Sequence, residues 1–347
     1  MPSTMQAVVK AHAAPGIELR EVQVPEPGLG EVLVRVEAAS VCGTDLHIFN
    51  WDPWAQGRIH PPLIPGHEFA GVVAGVGRGV TTVKEGDKVS AEMHVACGKC
   101  LQCRIGLAHV CQHVRILGVD ANGAFAGYAI IPETNIWKLS PSIPHDYASL
   151  LDPLGNAVHT VLAGTIAAKY VAVTGCGAIG LFSIAVAKAC GAAAVYAIEV
   201  NAHRRGVAAA MGADLALDPA ADNVAEQILA ATGGTGVDVL LEMSGHPAAM
   251  QLGFALLRTG GRASLLGIPS RPVELDFARD IIFKGATVQG INGRKMFETW
   301  FQMEALLATG KLNLEPAITH RLRLDEFPRA MELLQSGEAI KVILKPE

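Results

Sequence analysis

The sequence predicts a two-part α/β protein: a β-rich first portion and, after about residue 160, a doubly wound parallel sheet flanked by helices. Three observations predict it. The chain of 347 residues is long enough for about two domains, each burying its own core. Half of the residues are hydrophobic but only 5% are aromatic, so the core is built of Ala, Val, Ile and Leu, the usual material of buried parallel strands. From Tyr170 onward, short apolar segments alternate with segments of helical period.

Composition excludes several classes. A chain with 18% charged residues and this apolar content is not disordered. The net charge is −5 and like charges nowhere cluster, so nucleic acid is not an expected partner. The most apolar window, Ala178 to Ile198, is interrupted by Lys188 and carries many alanines, so no membrane span is expected. No basic segment followed by an apolar one opens the chain, and the cytoplasm is the expected location.

The first portion reads as short strands at Gln6–Val9, Glu31–Glu37, Gly71–Gly75, Asp87–Ala91 and Tyr128–Ile131, separated by Pro- and Gly-rich turns. Within it lies Cys97-x2-Cys100-x2-Cys103-x7-Cys111. Four thiolates so spaced close a tetrahedral zinc completely, which is a structural site. The ferredoxin spacing differs, with a shorter last interval and a proline after the fourth cysteine, where this chain has Gln112. Seven cysteines, an odd number, argue against a disulfide framework.

The second portion reads as strands at Tyr170–Thr174, Ala194–Glu199, Leu215–Leu217, Val237–Glu242, Ala263–Leu266 and Thr287–Ile291. Helices fit between them at Ala178–Cys190, Arg204–Met211, Val224–Ala231 and Ala248–Leu257. Between the first strand and the first helix stands Gly175-Cys176-Gly177-Ala178-Ile179-Gly180, the G-x-G-x-x-G turn in its required setting. Its glycines allow the tight turn, the approach of a pyrophosphate and close helix–strand packing, while the helix N-terminus favours phosphate. Glu199, 24 residues after Gly175, ends the next strand and suits a ribose with free hydroxyls. NAD is therefore favoured over NADP, with Arg204 and Arg205 keeping a phosphate reading open. Beyond residue 295, helical patterns at Phe297–Ala308 and Asp325–Gln335 and a last strand at Lys341–Lys345 are expected to return to the first portion. The expected division is thus 1–160 with a zinc lobe at about 94–115, then 161–295, then 296–347.

A second metal set is suggested by Cys42, in Val41-Cys42-Gly43-Thr44-Asp45-Leu46-His47, and by His67-Glu68. A thiolate, an imidazole and a carboxylate suit a zinc with one open position, although each residue alone is ordinarily core or surface. These segments, the four-cysteine lobe and the glycine loop occur in the order and spacing of a known family: the chain resembles the zinc-dependent medium-chain dehydrogenases along essentially its whole length. The strings His47–Asp52, Asp152–Thr160, Leu241–Gly245, Gly293–Trp300 and Ile318–Arg321 narrow the likeness.

The resemblance implies a Rossmann NAD-binding domain and a GroES-like catalytic domain, with one catalytic and one structural zinc per chain. It implies zinc-assisted, NAD-dependent oxidation of the 3-hydroxyl of L-threonine to 2-amino-3-oxobutanoate. A polyol or secondary-alcohol dehydrogenase of the 2,3-butanediol or sorbitol type is the alternative. Cys42, His67 and Glu68 would hold the catalytic zinc. Asp152 stands where related enzymes place a glutamate ligand, and its shorter side chain leaves direct ligation, ligation through water and a capping role all open. Thr44 would take the hydroxyl proton and pass it by way of the cofactor ribose to His47. Gly175, Gly177, Ile179, Gly180, Glu199, Arg204, Leu266, Gly267, Ile268, Ile291 and Asn292 would line the NAD site. The family pattern further implies a homotetramer.

Overall fold

The computed structural model describes residues 2–346, and these fall into two units: residues 2–152 with Met296–Glu304 and residues 318–346, and Pro153–Lys295 with Ala305–Ala317. The division departs from the sequence expectation in two places. Residues 153–160 belong to the helix Leu151–Val161, which begins at the end of the first unit's segment and continues in the second. Proline is compatible with a first helical turn, where its missing N–H is no loss, so Asp152-Pro153 opens a helix instead of breaking one. Residues 305–317 also join the second unit, although they follow the expected return point at 296.

The first unit is built on a seven-stranded sheet. Along its main path run Ile318–Arg323, Lys341–Lys345, Glu31–Ser40, Phe69–Val76, Lys88–Ala91 and Ile136–Lys138, with Tyr128–Pro132 also paired to Glu31–Ser40. Lys341–Lys345 runs antiparallel to Glu31–Ser40, with Ile343 opposite Ser40. The strand Ile318–Arg323 was not read from the sequence, because Thr319, His320 and Arg321 break the apolar alternation; only Ile318 and Leu322 are buried. Val34, Phe69, Phe125, Phe327, Met331 and Leu344 are among the buried side chains of the core.

In the second unit the strands lie in the order Leu215–Leu217, Ala194–Ile198, Tyr170–Thr174, Val237–Glu242, Leu257–Leu265 and Thr287–Gly290, all parallel. This is the doubly wound order, in which connections reverse direction between Tyr170–Thr174 and Val237–Glu242. Such a sheet binds ligands at the carboxyl ends of the strands at that reversal. Val171, Ala172, Val173 and Thr174 are all buried, as a strand covered on both faces requires. Leu257–Leu265 starts well before the expected Ala263 and runs through Gly260 and Gly261. No helix among the described residues is long and apolar enough to cross a membrane.

Candidate metal and dinucleotide sites

In the first unit, two neighbouring antiparallel strands bring three donors together. Cys42 lies two residues beyond the end of Glu31–Ser40, and His67-Glu68 directly precede Phe69–Val76. Ala39 is opposite Phe69 in this pair, and the Ser40 N–H donates to the Glu68 carbonyl at 2.9 Å. Gly66 turns the chain into position with φ of 95°, and a Cβ there would lie 2.5 Å from the Phe125 ring. Ligand atoms of Cys42, His67 and Glu68 all lie within 4.8 Å of one another.

Charge around this group calls for a cation. Burial alone would push the His67 imidazole down, but Cys42, Asp45 and Asp152 outweigh it and raise it to about 10. Burial pushes the Asp45 carboxyl up to about 6, against the pull of His67 and of the Cys42 amide. Among the described residues, Nδ1 of His67 is a buried atom with no hydrogen-bond partner. A soft sulfur, an imidazole with an unused nitrogen and a carboxylate are the donor set of a zinc that keeps one position open. The residues therefore fit the ion that the sequence suggests. Glu68 is also paired with the Lys341 ammonium and accepts from the Ser40 hydroxyl.

Cys42 is the N-cap of the helix Gly43–Asn50, and its N–H donates to Asp45 Oδ2 at 2.8 Å, a capping-box arrangement. The same helix carries Thr44, whose Oγ1 is 3.8 Å from Cys42 Sγ, and His47, whose Nδ1 is 2.5 Å from Asp52 Oδ2. Asp152 is buried and acts on His67 as a neighbouring charge, but it is not in the 4.8 Å group of Cys42, His67 and Glu68.

The four-cysteine lobe rises from a two-stranded ribbon, His94–Val95 against Arg115–Ile116. The sulfurs of Cys97, Cys100, Cys103 and Cys111 all lie within 4.8 Å of one another. Cys100 Sγ is 3.4 Å from Cys103 Sγ and 3.8 Å from Cys111 Sγ. A disulfide would require about 2.05 Å, whereas thiolates on a tetrahedral zinc at about 2.3 Å stand about 3.8 Å apart. Backbone amides point at the sulfurs: Lys99 and Cys100 donate to Cys97 Sγ at 3.4 Å, and His113 donates to Cys111 Sγ at 3.3 Å. The amides of Cys103 and Gln112 hold the Cys100 thiol low, while burial and the adjacent sulfurs push Cys103 up. Four such sulfurs ionise together only around a cation.

In the second unit the glycine loop is shaped as the motif requires. Gly175 has φ of 85°, and a Cβ on it would meet Ser244 at 2.7 Å. A Cβ on Gly180 would lie 2.0 Å from the Gly175 carbonyl oxygen, whereas Gly177 faces open space. Gly177 is the N-cap of the helix Ala178–Ala189 and no side chain caps it, so Ile179 and its neighbours present free N–H groups for phosphate. Glu199 is buried and joins this loop to the next strand, accepting from the Cys176 N–H at 2.7 Å and the Asn201 N–H at 2.9 Å. Of the two arginines, Arg205 is occupied by the Glu199 and Val200 carbonyls and by Asp218, while Nε of Arg204 is buried without a hydrogen bond.

Three polar residues were not singled out from the sequence: Lys341, Asp52 and Glu242. Glu242 is fully buried at the end of its strand, opposite Thr174. Its carboxylate accepts from the Thr174 hydroxyl at 3.3 Å and from the amides of Ser244 at 2.9 Å and Gly245 at 3.1 Å. Its carbonyl accepts from Leu266 and Gly267 at 2.9 and 3.0 Å. Ile268 beyond them is exposed, and Ile291 donates its N–H to the Leu265 carbonyl at 2.8 Å, with exposed Asn292 following. One residue thus ties together the loops at the strand-order reversal, its carboxylate holding Thr174, Ser244 and Gly245 and its carbonyl holding Leu266 and Gly267.

Comparison with known proteins gives a consistent picture. The family described as alcohol dehydrogenase GroES-like domain matches residues 28–141, and the family described as zinc-binding dehydrogenase matches residues 178–309. The L-threonine 3-dehydrogenase of Bacillus licheniformis is 49% identical over 346 residues, covering 100% of both chains. A solved short chain alcohol dehydrogenase from E. coli complexed with NADH superposes with a TM-score of 0.90 at 28% identity, over 99% of this chain and 100% of that one. The 2R,3R-butanediol dehydrogenase of Bacillus subtilis superposes equally well, with a TM-score of 0.90 at 28% identity and the same coverage.

Proposed function

The chain belongs to the zinc-dependent medium-chain dehydrogenases, and from that premise we propose that it oxidises the 3-hydroxyl of L-threonine to 2-amino-3-oxobutanoate with NAD. One observation carries the substrate: identity to an L-threonine 3-dehydrogenase is 49% over the full length, against 28% to a butanediol dehydrogenase of the same fold.

In this reading Cys42, His67 and Glu68 hold the catalytic zinc, and the four lobe cysteines hold the structural one. Zinc, when bound, lowers the pKa of the substrate hydroxyl, and the nicotinamide takes up the hydride. Asp152 acts beside the three ligands as a neighbouring carboxylate, in keeping with its place outside their group. Thr44 accepts the hydroxyl proton at Oγ1, since a hydroxyl both donates and accepts, and His47 is its onward base. The glycine loop with Ile179 and Arg204 takes the pyrophosphate. Glu199 takes the adenosine ribose, and Leu266, Gly267, Ile268, Ile291 and Asn292 border the remaining dinucleotide. Catalysis is assigned to the first unit and cofactor binding to the second. A cytoplasmic homotetramer belongs to the same reading, resting on the family resemblance, and light scattering checks the assembly.

The deciding experiment follows NADH formation with L-threonine, 2,3-butanediol and sorbitol side by side, with and without a chelator. Chelator-sensitive turnover of L-threonine well above the polyols is expected. Turnover of the polyols alone would overturn the substrate.

A further inference from the structure

We propose that Asp52 is a positioning residue for the proton relay, holding His47 in the tautomer that carries its proton on Nδ1 and leaves Nε2 as the base. The role of His47 rests on the dehydrogenase reading above; the role of Asp52 rests on the geometry around it.

His47 sits in the last turn of Gly43–Asn50. The helix ends at Trp51, which takes the left-handed conformation with φ of 54°, and its N–H returns to the His47 carbonyl. A non-glycine residue in this conformation persists where its surroundings hold it. Here the Lys10 ammonium stands 4.9 Å from the Trp51 ring centroid, and Gln56 Nε2 donates to the Trp51 carbonyl at 2.8 Å. This reversal folds Asp52 back onto His47, where Oδ2 lies 2.5 Å from Nδ1.

Asp52 is itself held from the other side. It is the N-cap of Pro53–Arg58, and Oδ1 accepts the Ala55 N–H at 3.0 Å. That amide, and then His47, keep the Asp52 carboxyl below the usual carboxylate range. An ionised carboxylate only accepts hydrogen bonds, so Nδ1 must donate, and the one lone pair of the neutral ring is then on Nε2. The Trp54 ring, 5.8 Å from the imidazole and tilted by 55°, backs the same orientation. When Nε2 takes up the relayed proton, an N–H bond forms as the donor O–H bond breaks, and the resulting imidazolium faces the Asp52 charge. His47 is more than half exposed, at 55%, so the proton leaves to water.

The test compares Asp52→Asn with the native enzyme. Asparagine keeps the cap on Ala55 but presents an amide N–H₂ to Nδ1, which must then accept, placing the ring proton on Nε2. The expected result is a fall in kcat for L-threonine on the order of tenfold or more, with the KM for NAD and for L-threonine little changed. Asp52→Glu restores part of the loss. Nitrogen-15 NMR of the native enzyme, with His47 assigned by its loss in His47→Asn, is expected to show Nδ1 protonated in the neutral ring, switching to Nε2 in Asp52→Asn. A native kcat in Asp52→Asn, or a native His47 protonated on Nε2, would overturn the proposal. The NMR result needs no substrate, so absence of threonine turnover would sink the functional reading without touching it.

Discussion

Lys341, on the last strand, forms an ion pair with Glu68, and the two side chains are only 2% and 1% exposed. The same ammonium donates to the carbonyl of Val41 at 2.9 Å, one residue before Cys42. A single buried cation thus braces both segments that supply the candidate zinc ligands. Removing it leaves a carboxylate buried without its charge partner, which costs about 3–5 kcal/mol. We expect Lys341→Met to lower the unfolding temperature of the metal-free protein sharply. Zinc would then supply the charge that Lys341 no longer brings to Glu68, so the stabilisation gained on adding zinc is expected to be larger in the variant than in the native protein. Thermal unfolding with and without chelator measures both.

The cysteine lobe depends on its metal more than on packing. Leu101, Ile105 and Leu107 are exposed, at 67%, 59% and 40%, so the lobe has little core of its own. Cys103→Ser removes one of four sulfurs from the group. The expected outcome is a drop from about two bound zinc ions per chain to about one, together with new protease cleavage between residues 97 and 111. Mass spectrometry of the intact and digested protein reads both changes.

Why the sequence reveals some of this and hides the rest follows from separation along the chain. The four cysteines and the glycine loop carry their geometry within a few residues, so spacing alone points to the chemistry. Cys42 and His67-Glu68 are ordinary residues singly and gained meaning from a family resemblance. Lys341 meets Glu68 across 273 positions, and only the pairing of Lys341–Lys345 with Glu31–Ser40 brings them together. A lysine opening the apolar run Val342-Ile343-Leu344 was the available signal. Asp52 is close to His47 in sequence, but their contact depends on the left-handed turn at Trp51, which side-chain type does not announce.

Asp146 ties the end of the chain to the first unit's interior. It accepts from Arg321 Nε at 2.7 Å and pairs with Lys345. Burial raises its carboxyl, but Lys345 and then Arg321 outweigh burial and hold it below the usual range. A depressed folded value contributes stability above the unfolded value of about 3.9, and that stability is lost as pH falls through the folded value. Because Arg321 is 41% exposed and Lys345 33% exposed, the contribution is about 1 kcal/mol. Asp146→Asn is expected to be less stable than the native protein by about that amount at neutral pH, and equal to it once acid has protonated Asp146. Denaturant titrations at the two pH values check it.

Glu242 satisfies the amides of Ser244 and Gly245 and the Thr174 hydroxyl at the strand-order reversal. Glu242→Ala leaves the buried Thr174 hydroxyl and Gly245 amide without their acceptor, at about 1–3 kcal/mol each, and loosens the loops proposed to border the dinucleotide. NADH affinity, followed by its fluorescence, is expected to fall severalfold. The affinity of zinc for the first unit, followed by chelator competition, is expected to be unchanged.

Glu199 bears on the choice between NAD and NADP. Its carboxylate receives the Cys176 and Asn201 amides and is buried, so its charge is fixed beside the glycine loop. A 2′-phosphate brought there meets that charge at close range and is repelled, whereas ribose hydroxyls can donate to it. Arg205 does not offset the repulsion, because its guanidinium is held by backbone carbonyls and by Asp218. Nε of Arg204 has no hydrogen-bond partner, which leaves this arginine as the source of compensation. Glu199→Ala is therefore expected to lose NAD affinity, through the missing ribose acceptor, and to gain on NADP, through the missing repulsion. The ratio of kcat/KM for the two cofactors should fall by at least about tenfold, equivalent to roughly 1.4 kcal/mol. Adding Arg204→Ala should reverse the NADP gain, since that cation is then absent. An unchanged ratio in Glu199→Ala would place the discrimination elsewhere in the loop.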